Sequence, residues 1–276
     1  MVTTPTRKSK QKKDKQRQTK DKSTSYKVKR PEIAWEKLPE DFVLPDDPVD
    51  NIKQPPLAAA LTESLNLAGR ISEEAATTTN YGICAKVEGR TVVKAPDWSW
   101  IPAISVPKSE IDRSYTPVLE GDIPLIVMEF ISETEGTEYS IKGTYPPGKW
   151  FYYERVLQVP SYAIFEPKTG RLEVYRLDDR DMYALQPANE DERYWLPEAE
   201  LFLGVWEGSY QGSAGWWLRW WDAEGELLLW GDEKVAQQQQ TIRKAIAKLT
   251  SLGLDSKQIA ATLDLSLADV QKFLND

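Results

Sequence analysis

The stretch PLIVMEFI, residues 124–131, decides the fold of this 276-residue chain. Apart from Glu129 it is apolar throughout and has the length of a strand, which is typical of a β-strand covered on both faces of a sheet. A carboxylate inside such a strand costs several kcal/mol unless it is paired or bound to a metal. The sequence therefore predicts a central strand in which Glu129 has a partner. The alternative is a position near the strand's end, where Glu129 reaches solvent or an Arg or Lys side chain.

The segments on either side of this strand supply a second carboxylate and an amine. VVKAPDW (92–98) ends a β-rich run with Asp97, and GKWFYYERVLQVPSYAIFEP (148–167) begins with Lys149 at the start of a helix-like segment. Paired strands lie about 4.8 Å apart, so Asp97 and Glu129 on adjacent strands can share one pocket, although a Pro-Asp pair taken alone is an ordinary turn. Two carboxylates with a substrate phosphate form a usual Mg²⁺ site. Together with Lys149 they favour hydrolysis of a phosphodiester.

Apolar periodicity predicts a mixed sheet flanked by two helices. The first helix is expected at 57–68, where apolar residues recur at three- and four-residue spacing after two prolines, and the second at 148–157. Lys149 in the first turn of the second helix opposes the helix dipole, which indicates that another demand placed it there. The expected strands are 81–95, with Asp97 closing its second half, 124–131, 161–166 and the hairpin 171–187, while 98–122 is expected to be a loop rich in Pro and Ser.

Composition excludes several kinds of chemistry. The chain has no histidine, which removes Ser-His-Asp triads, Cys-His dyads and His-ligated zinc. The single Cys84 lies in an apolar run and is expected to be a small core residue in a reducing compartment. Neither a membrane span nor a secretory signal is encoded, so the sequence predicts a soluble protein of the cytoplasm.

Charge is concentrated at the N-terminus. Residues 1–30 contain twelve Lys and Arg and two Asp, a net charge of +10, whereas the rest of the chain has 23 basic and 41 acidic residues. A basic segment with so few apolar residues is expected to be a disordered arm. The arm is predicted either to bind phosphates non-specifically or to neutralise and solubilise the acidic body.

The whole pattern resembles a known family. The segments PDW, VMEFISE, EYSIKG and GKWFYYERVLQVPSYAIFEPKTGRLEVYRL, with the later LPEAELFLGVWEG and GWWLRWWDAEGELL, resemble the cyanobacterial Uma-type restriction endonuclease family of the PD-(D/E)XK nuclease superfamily. The resemblance covers roughly residues 40–230. It implies an α/β fold, an α+β mixed sheet with a restriction-endonuclease-like core, to which this chain adds a C-terminal helical extension.

The resemblance also implies a site and a substrate. Asp97 and Glu129 would be ligands of Mg²⁺, for which Mn²⁺ can substitute, and the substrate would be DNA. The superfamily places a lysine two positions after the Glu, where this chain has Ile131. Lys149 on the following helix matches the lysine of such relatives, and Lys142 is the reserve candidate. A further carboxylate candidate is Glu74, for which a solvated surface pair is the favoured alternative.

A block of five tryptophans, GWWLRWWDAEGELLLWG (215–231), could be a base-stacking platform with Arg219 adding cation–π contacts. We favour the alternative, a β-strand whose aromatic row packs into the core or into a homodimer interface.

The C-terminus is predicted to be helical, with a helix over 232–253 that ends at Gly253. Two short helices follow, capped by Asp255 or Ser256 and by Ser266, with a turn at 263–265, and they resemble a small helix-turn-helix. The second of them has few basic residues for reading a DNA groove. A helical hairpin that binds protein or forms a homodimer is an equal alternative.

These predictions divide the chain into an arm (1–30), a restriction-endonuclease-like domain (31–231) and helix-turn-helix-like C-terminal helices (232–276). Two functions remain open. One is a metal-dependent endonuclease, and the other is a nuclease-fold module that binds DNA or protein without cleaving.

Overall fold

The computed structural model describes residues 30–39, 42, 52–131 and 138–275. The predicted disordered arm therefore lies outside the described residues except for Arg30. The Arg30 guanidinium donates hydrogen bonds to the main-chain oxygens of Arg155, at 3.3 Å, and Val156, at 3.1 Å.

In the described part of the chain, strands and helices are interspersed as far as Glu166, five further strands follow, and three α-helices come last. The strands are β1 (Ile33–Ala34), β2 (Ala76–Thr78), β3 (Ile83–Val87), β4 (Arg90–Lys94), β5 (Trp98–Ile101), β6 (Ile126–Phe130), β7 (Ser161–Glu166), β8 (Arg171–Leu177), β9 (Tyr183–Leu185), β10 (Arg193–Leu196), β11 (Leu201–Tyr210) and β12 (Ser213–Trp221). The helices are α1 (Gln54–Leu67), a 3-10 helix (Lys108–Ile111), α2 (Lys149–Phe151), a π-helix (Tyr152–Leu157), α3 (Gly231–Ser251), α4 (Ser256–Leu263) and α5 (Leu267–Asn275).

The main sheet has six strands in the order β2-β5-β6-β7-β8-β9. Its pairings are antiparallel except for β6 and β7, which run parallel with Ile126 opposite Ser161. All residues of β6 are buried, as its apolar composition requires, and β6 lies inside the sheet. The predicted central strand and the predicted α/β fold with a mixed sheet are therefore confirmed.

Two predicted strand positions are wrong. The hairpin of β3 and β4 does not join the main sheet but forms a separate three-stranded sheet with β1. The antiparallel neighbour of β6 is instead β5, within the segment expected to be a loop. Pro96 and Pro102 bracket β5 so closely that they obscure a strand of four residues, and the sequence gives no local sign of which strand pairs with β6.

The connection from β6 to β7 carries α2 and the π-helix. Parallel neighbours require a crossover, and a helix is its usual form. The helix predicted at 148–157 is therefore confirmed, although its second part has π geometry. It ends at Gln158, whose φ of 58° takes the chain out of the helix.

The first face of the main sheet packs on α1 and on a third sheet, in the order β10-β11-β12. From β6, Ile126, Met128 and Phe130 point into this core, where they meet Leu61 of α1 and Trp220 of β12. The predicted helix at 57–68 is thus confirmed as α1, and its Leu61 is fully buried.

The second face packs on the π-helix and on the small β1-β3-β4 sheet. Val127 of β6 points to this side together with Tyr152 and Tyr153 of the π-helix. Since side chains alternate along a strand, Glu129 points to the same side as Val127.

The tryptophan-rich block forms β12 and the turn after it. Trp217, Trp220 and Trp230 are buried within the chain, so the preferred packing role is confirmed for them. The Arg219 guanidinium lies 3.5 Å from the ring centroid of Trp230 and 5.3 Å from that of Trp206.

The C-terminal helices enclose a small core of their own, formed by Ile246, Ile259, Ala260 and Val270. Asp255 caps α4 by accepting from the main-chain N–H groups of Lys257 and Gln258, which is one of the two caps predicted there. None of the helices in the described part of the chain has both the length and the apolar character needed to cross a membrane.

Candidate active site

Glu129 lies near the C-terminal end of β6, with none of its side chain exposed. One carboxylate oxygen, Oε2, accepts a hydrogen bond from Lys149 Nζ at 2.8 Å. The other, Oε1, accepts from the Tyr153 hydroxyl at 2.9 Å. The buried carboxylate thus has an amine on one oxygen and a phenol on the other.

Asp97 comes to this pocket from the neighbouring strand. β4 ends at Lys94 and Asp97 comes directly before β5, so the prediction that Asp97 closes the preceding hairpin is wrong. Trp98 lies opposite Met128 of β6, and the Asp97 carboxylate accepts a hydrogen bond from the main-chain N–H of Phe130. This contact fixes Asp97 beside the end of β6 that carries Glu129.

Lys149 reaches Glu129 from the first residue of α2. The preceding Gly148 is extended and is the N-cap residue of α2, so the helix begins at Lys149, whose side chain reaches Glu129 over the sheet. A side chain at Gly148 would lie 2.1 Å from the main-chain oxygen of Ser140, so the turn has no room for one. Tyr153 follows Lys149 by four residues and therefore lies on the same side of the helical segment.

Burial and neighbouring charges both shift the pKa values of Glu129 and Lys149. Burial raises the pKa of the Glu129 carboxyl, Lys149 lowers it, and the charge of Asp97 raises it again, with a net increase. Burial lowers the pKa of the Lys149 amine, but Glu129, Asp97 and Glu138 raise it, and the net effect is an increase. The amine therefore stays protonated next to these carboxylates.

Three residues of the site were not predicted from the sequence. Tyr153 lies within the helix predicted at 148–157, which gave it no functional role, and burial raises its pKa, which keeps its hydroxyl protonated as a donor to Glu129. Glu138 is buried, and its charge acts on Lys149. Gln54, at the start of α1, donates from Nε2 to the main-chain oxygen of Phe130 at 2.8 Å.

The other two predicted candidates take no part in the hydrogen bonds of Glu129. Glu74 is exposed, and hydrogen bonds from its own main chain and from Ser72 lower its pKa. Lys142 is also exposed, and its main-chain oxygen accepts from the N–H of Gly148 at 2.9 Å. The structure thus brings Glu129 and Lys149 together near Asp97, and leaves Glu74 and Lys142 outside.

Oxygen donors of the kind that suit a hard cation lie near the main chain of Phe130, which both Asp97 and Gln54 contact, next to Glu129. Within the described ranges, no three His, Cys, Asp or Glu side chains are grouped so that they could hold a metal ion. However, the amide oxygen Oε1 of Gln54 is buried and has no hydrogen-bond partner among the described residues. Two carboxylates and one amide oxygen form the kind of partial oxygen set that Mg²⁺ completes with water and substrate.

The architecture places the chain in the restriction-endonuclease-like class of α/β proteins. Residues 50–209 match the model of the Uma2 family, whose description is "Putative restriction endonuclease". Because the match covers more than half of the chain, the chain belongs to this family, and the family inferred from the sequence, apart from its cyanobacterial origin, is confirmed. Membership suggests a nuclease, and restriction-endonuclease-like families generally use divalent metals. The chain matches none of the curated proteins.

Proposed function

We propose that this protein is a Mg²⁺-dependent DNA endonuclease that hydrolyses phosphodiester bonds. The observation that carries the proposal is the burial of Glu129 inside β6 with Lys149 Nζ at 2.8 Å and with Asp97 close enough to raise its pKa. A buried ion pair often contributes no more to the free energy of folding than a hydrophobic replacement does, so stability alone would favour a purely apolar strand. A catalytic role accounts for the presence of the Glu129 and Lys149 charges in β6 and beside it.

Asp97 and Glu129 would hold the metal ion, with the Gln54 amide oxygen as a third donor. When bound there, a divalent ion would supply neutralisation of the charge on the scissile phosphate and a lowered pKa of a bound water. Tyr153 keeps Glu129 in place through its hydrogen bond to Oε1. The main-chain N–H of Phe130 does the same for Asp97, so both carboxylates are oriented before substrate arrives.

Lys149 would act on the phosphate itself. Its amine is held 2.8 Å from Glu129 Oε2 and 22% of its side chain is exposed, so it can contact a substrate oxygen while remaining paired. A protonated amine at this position stabilises the negative charge that develops in the transition state or orients the attacking water. Lys149 thus replaces the lysine that the superfamily carries at the position of Ile131, whose side chain packs with the apolar cluster on the second face of the main sheet.

A plasmid-nicking assay tests the proposal. We expect the full chain to nick supercoiled plasmid with Mg²⁺ or Mn²⁺ and not with EDTA. Asp97→Asn, Glu129→Gln and Lys149→Met should each lower the rate by about 100-fold or more, because each removes a group that acts on the reacting phosphate. Glu74→Gln, which alters an exposed carboxylate outside the cluster, is the matched control and should nick as the wild type does.

The alternative, a nuclease-fold module that binds without cleaving, is favoured by Ile131, because the chain lacks the strand-borne lysine. Circular dichroism should first establish that each variant is folded. Nicking by the wild type and by Asp97→Asn at equal rates would contradict the endonuclease. DNA binding without metal-dependent nicking would favour the alternative.

A further inference from the structure

A cavity of about 360 Å³ opens directly beside Lys149. It lies between β4 of the small sheet and the segment that leads into α2. Its lining residues include Thr91 and Lys94 of β4, Tyr145, and Lys149. The cavity therefore shares one wall with the candidate active site, and what it holds would lie next to the reacting group.

The charge of this cavity differs from that of the chain. The chain has a formal net charge of −8, yet the described residues that line the cavity include two lysines, Lys94 and Lys149, and no carboxylate. A pocket of one sign concentrates ligands of the opposite sign. Because Lys149 is already paired with Glu129, Lys94 is the residue of the wall that favours an anion.

The cavity also has an aromatic surface. The Tyr145 side chain is 48% exposed and its hydroxyl donates to the Thr91 main-chain oxygen at 3.3 Å, so the ring is tied to β4. The Arg90 guanidinium lies 5.0 Å from the centroid of the ring. Aromatic rings and Arg planes of this kind stack on nucleobases with little dependence on base identity.

We propose that this cavity binds one unpaired nucleotide next to the scissile phosphodiester, with its base on Tyr145 and its phosphate on Lys94. The inference rests on the proposed function. The volume of the cavity is at the lower end of the range of small-molecule pockets, about 300 to 1,000 Å³. A cavity of this size suits one nucleotide and not a duplex. A base can reach Tyr145 only when it is out of the helical stack. The substrate class is therefore single-stranded DNA, or duplex DNA with an unpaired nucleotide at the cleavage position.

Binding can be measured separately from cleavage by fluorescence anisotropy with labelled oligonucleotides in EDTA. We expect the full chain to bind a single strand more tightly than the fully paired duplex of the same sequence. Tyr145→Ala should weaken single-strand binding by roughly tenfold, because it removes one stacking surface. Tyr145→Phe keeps the stacking surface and loses only the 3.3 Å hydrogen bond to Thr91, so it should retain most of the single-strand binding. Lys94→Gln should weaken binding by roughly fivefold through the loss of one phosphate contact.

Lys244→Gln is the matched control, since it makes the same charge change on the exposed surface of α3. A loss with Lys244→Gln equal to that with Lys94→Gln would assign the effect to net charge and overturn the proposal. Equal binding by wild type and Tyr145→Ala, no binding by the wild type, or a preference for the duplex would also overturn it. If the variants behave as expected but plasmid nicking is absent, the nucleotide site stands and the endonuclease does not. If plasmid is nicked but Tyr145→Ala binds as the wild type does, the endonuclease stands and the nucleotide site does not.

Discussion

The carboxyl of Glu129 has to remain in the apolar interior whether or not a metal ion is bound. Burial raises its pKa from 4.5 to about 8, with Lys149 opposing the rise and Asp97 adding to it. A raised pKa means that the folded protein keeps this proton to a higher pH than the unfolded chain does. Between these two values the folded state binds more protons, so the free energy of unfolding falls as the pH rises.

We therefore predict a pH-dependent stability difference between the wild type and Glu129→Gln in EDTA. The free energy of unfolding of the wild type, relative to the variant, should fall by a few kcal/mol as the pH rises from 4.5 to about 8, at about 1.4 kcal/mol per unit of pKa. The Lys149 amine does not add to this slope, because its pKa is raised above 10.5 and its contribution is fully present below that value. Urea unfolding across the pH range measures the difference, and a flat or rising difference would refute the prediction.

The sequence predicts some site residues and not others for a physical reason. Glu129 is conspicuous because a carboxylate inside an apolar run needs a partner, and Lys149 because it opposes a helix dipole. Gln54 gives no such signal, since its contact with Phe130 depends on how α1 packs against a strand far along the chain. The role of Tyr153 depends likewise on tertiary structure, because its hydroxyl meets Glu129 only after the crossover has folded over the sheet.

At the scale of elements, strand β12 combines apolar packing with a buried cation. The Arg219 side chain is not exposed, and its two terminal nitrogens donate to Glu233 at 3.0 Å and 2.6 Å. Nη2 also donates to the Leu228 main-chain oxygen at 3.1 Å. Arg219 thus joins the third sheet to the start of α3.

Arg219→Ala should be strongly destabilising. Removing the buried guanidinium takes the partner from Glu233, whose side chain is 29% exposed, and opens a cavity between Trp206 and Trp230, so we expect a loss of about 3 kcal/mol in the free energy of unfolding, most of it from the cavity. Arg180→Ala is the comparison, because Arg180 is exposed and pairs with Asp178 at the surface. That variant should lose less than about 1 kcal/mol. Chemical denaturation measures both, and equal losses would show that burial does not determine the effect.

Element types were easier to predict than their partners. The central strand, the helices and the hairpin of β8 and β9 follow from local periodicity and turn residues, which act within a few positions. The placement of the β3–β4 hairpin in a separate sheet does not, because pairing joins distant segments such as Ile33 and Val87. Strand β5 was missed for the same reason, since its evidence lies in its pairing with β6.

At the scale of the whole molecule, α4 and α5 pack on the second half of α3 around Ile246, Ile259 and Val270, away from the cores of the main sheet. The first turn of α3 belongs instead to the body, because Glu233 pairs with Arg219 and Lys234 donates to the main-chain oxygen of Leu67 at 2.9 Å. We propose that the residues after α3 form a separate stability unit.

Deleting residues 252–276 should therefore leave the main sheet intact. We expect the thermal midpoint of the truncated chain to stay within about 4 °C of the full chain, equivalent to roughly 1 kcal/mol for a domain of this size. Differential scanning calorimetry measures the midpoint. A fall of more than about 10 °C would mean that the C-terminal helices support the body. Plasmid nicking by the truncated chain would show in addition that these helices are not needed for cleavage.

The crossover from β6 to β7 brings Lys149 back over the strand that the chain has just left. The pleat of a strand fixes where each side chain points. A lysine on β6 would therefore have to stand at a constant number of residues from Glu129. A lysine on the crossover can tolerate insertions and deletions in the connecting segment, provided that the amine still arrives at the same point. We therefore expect evolutionary relatives with the same chemistry to differ in the number of residues between Glu and Lys. A search that requires a constant interval will overlook them, whereas a comparison of atomic positions in space will recover them.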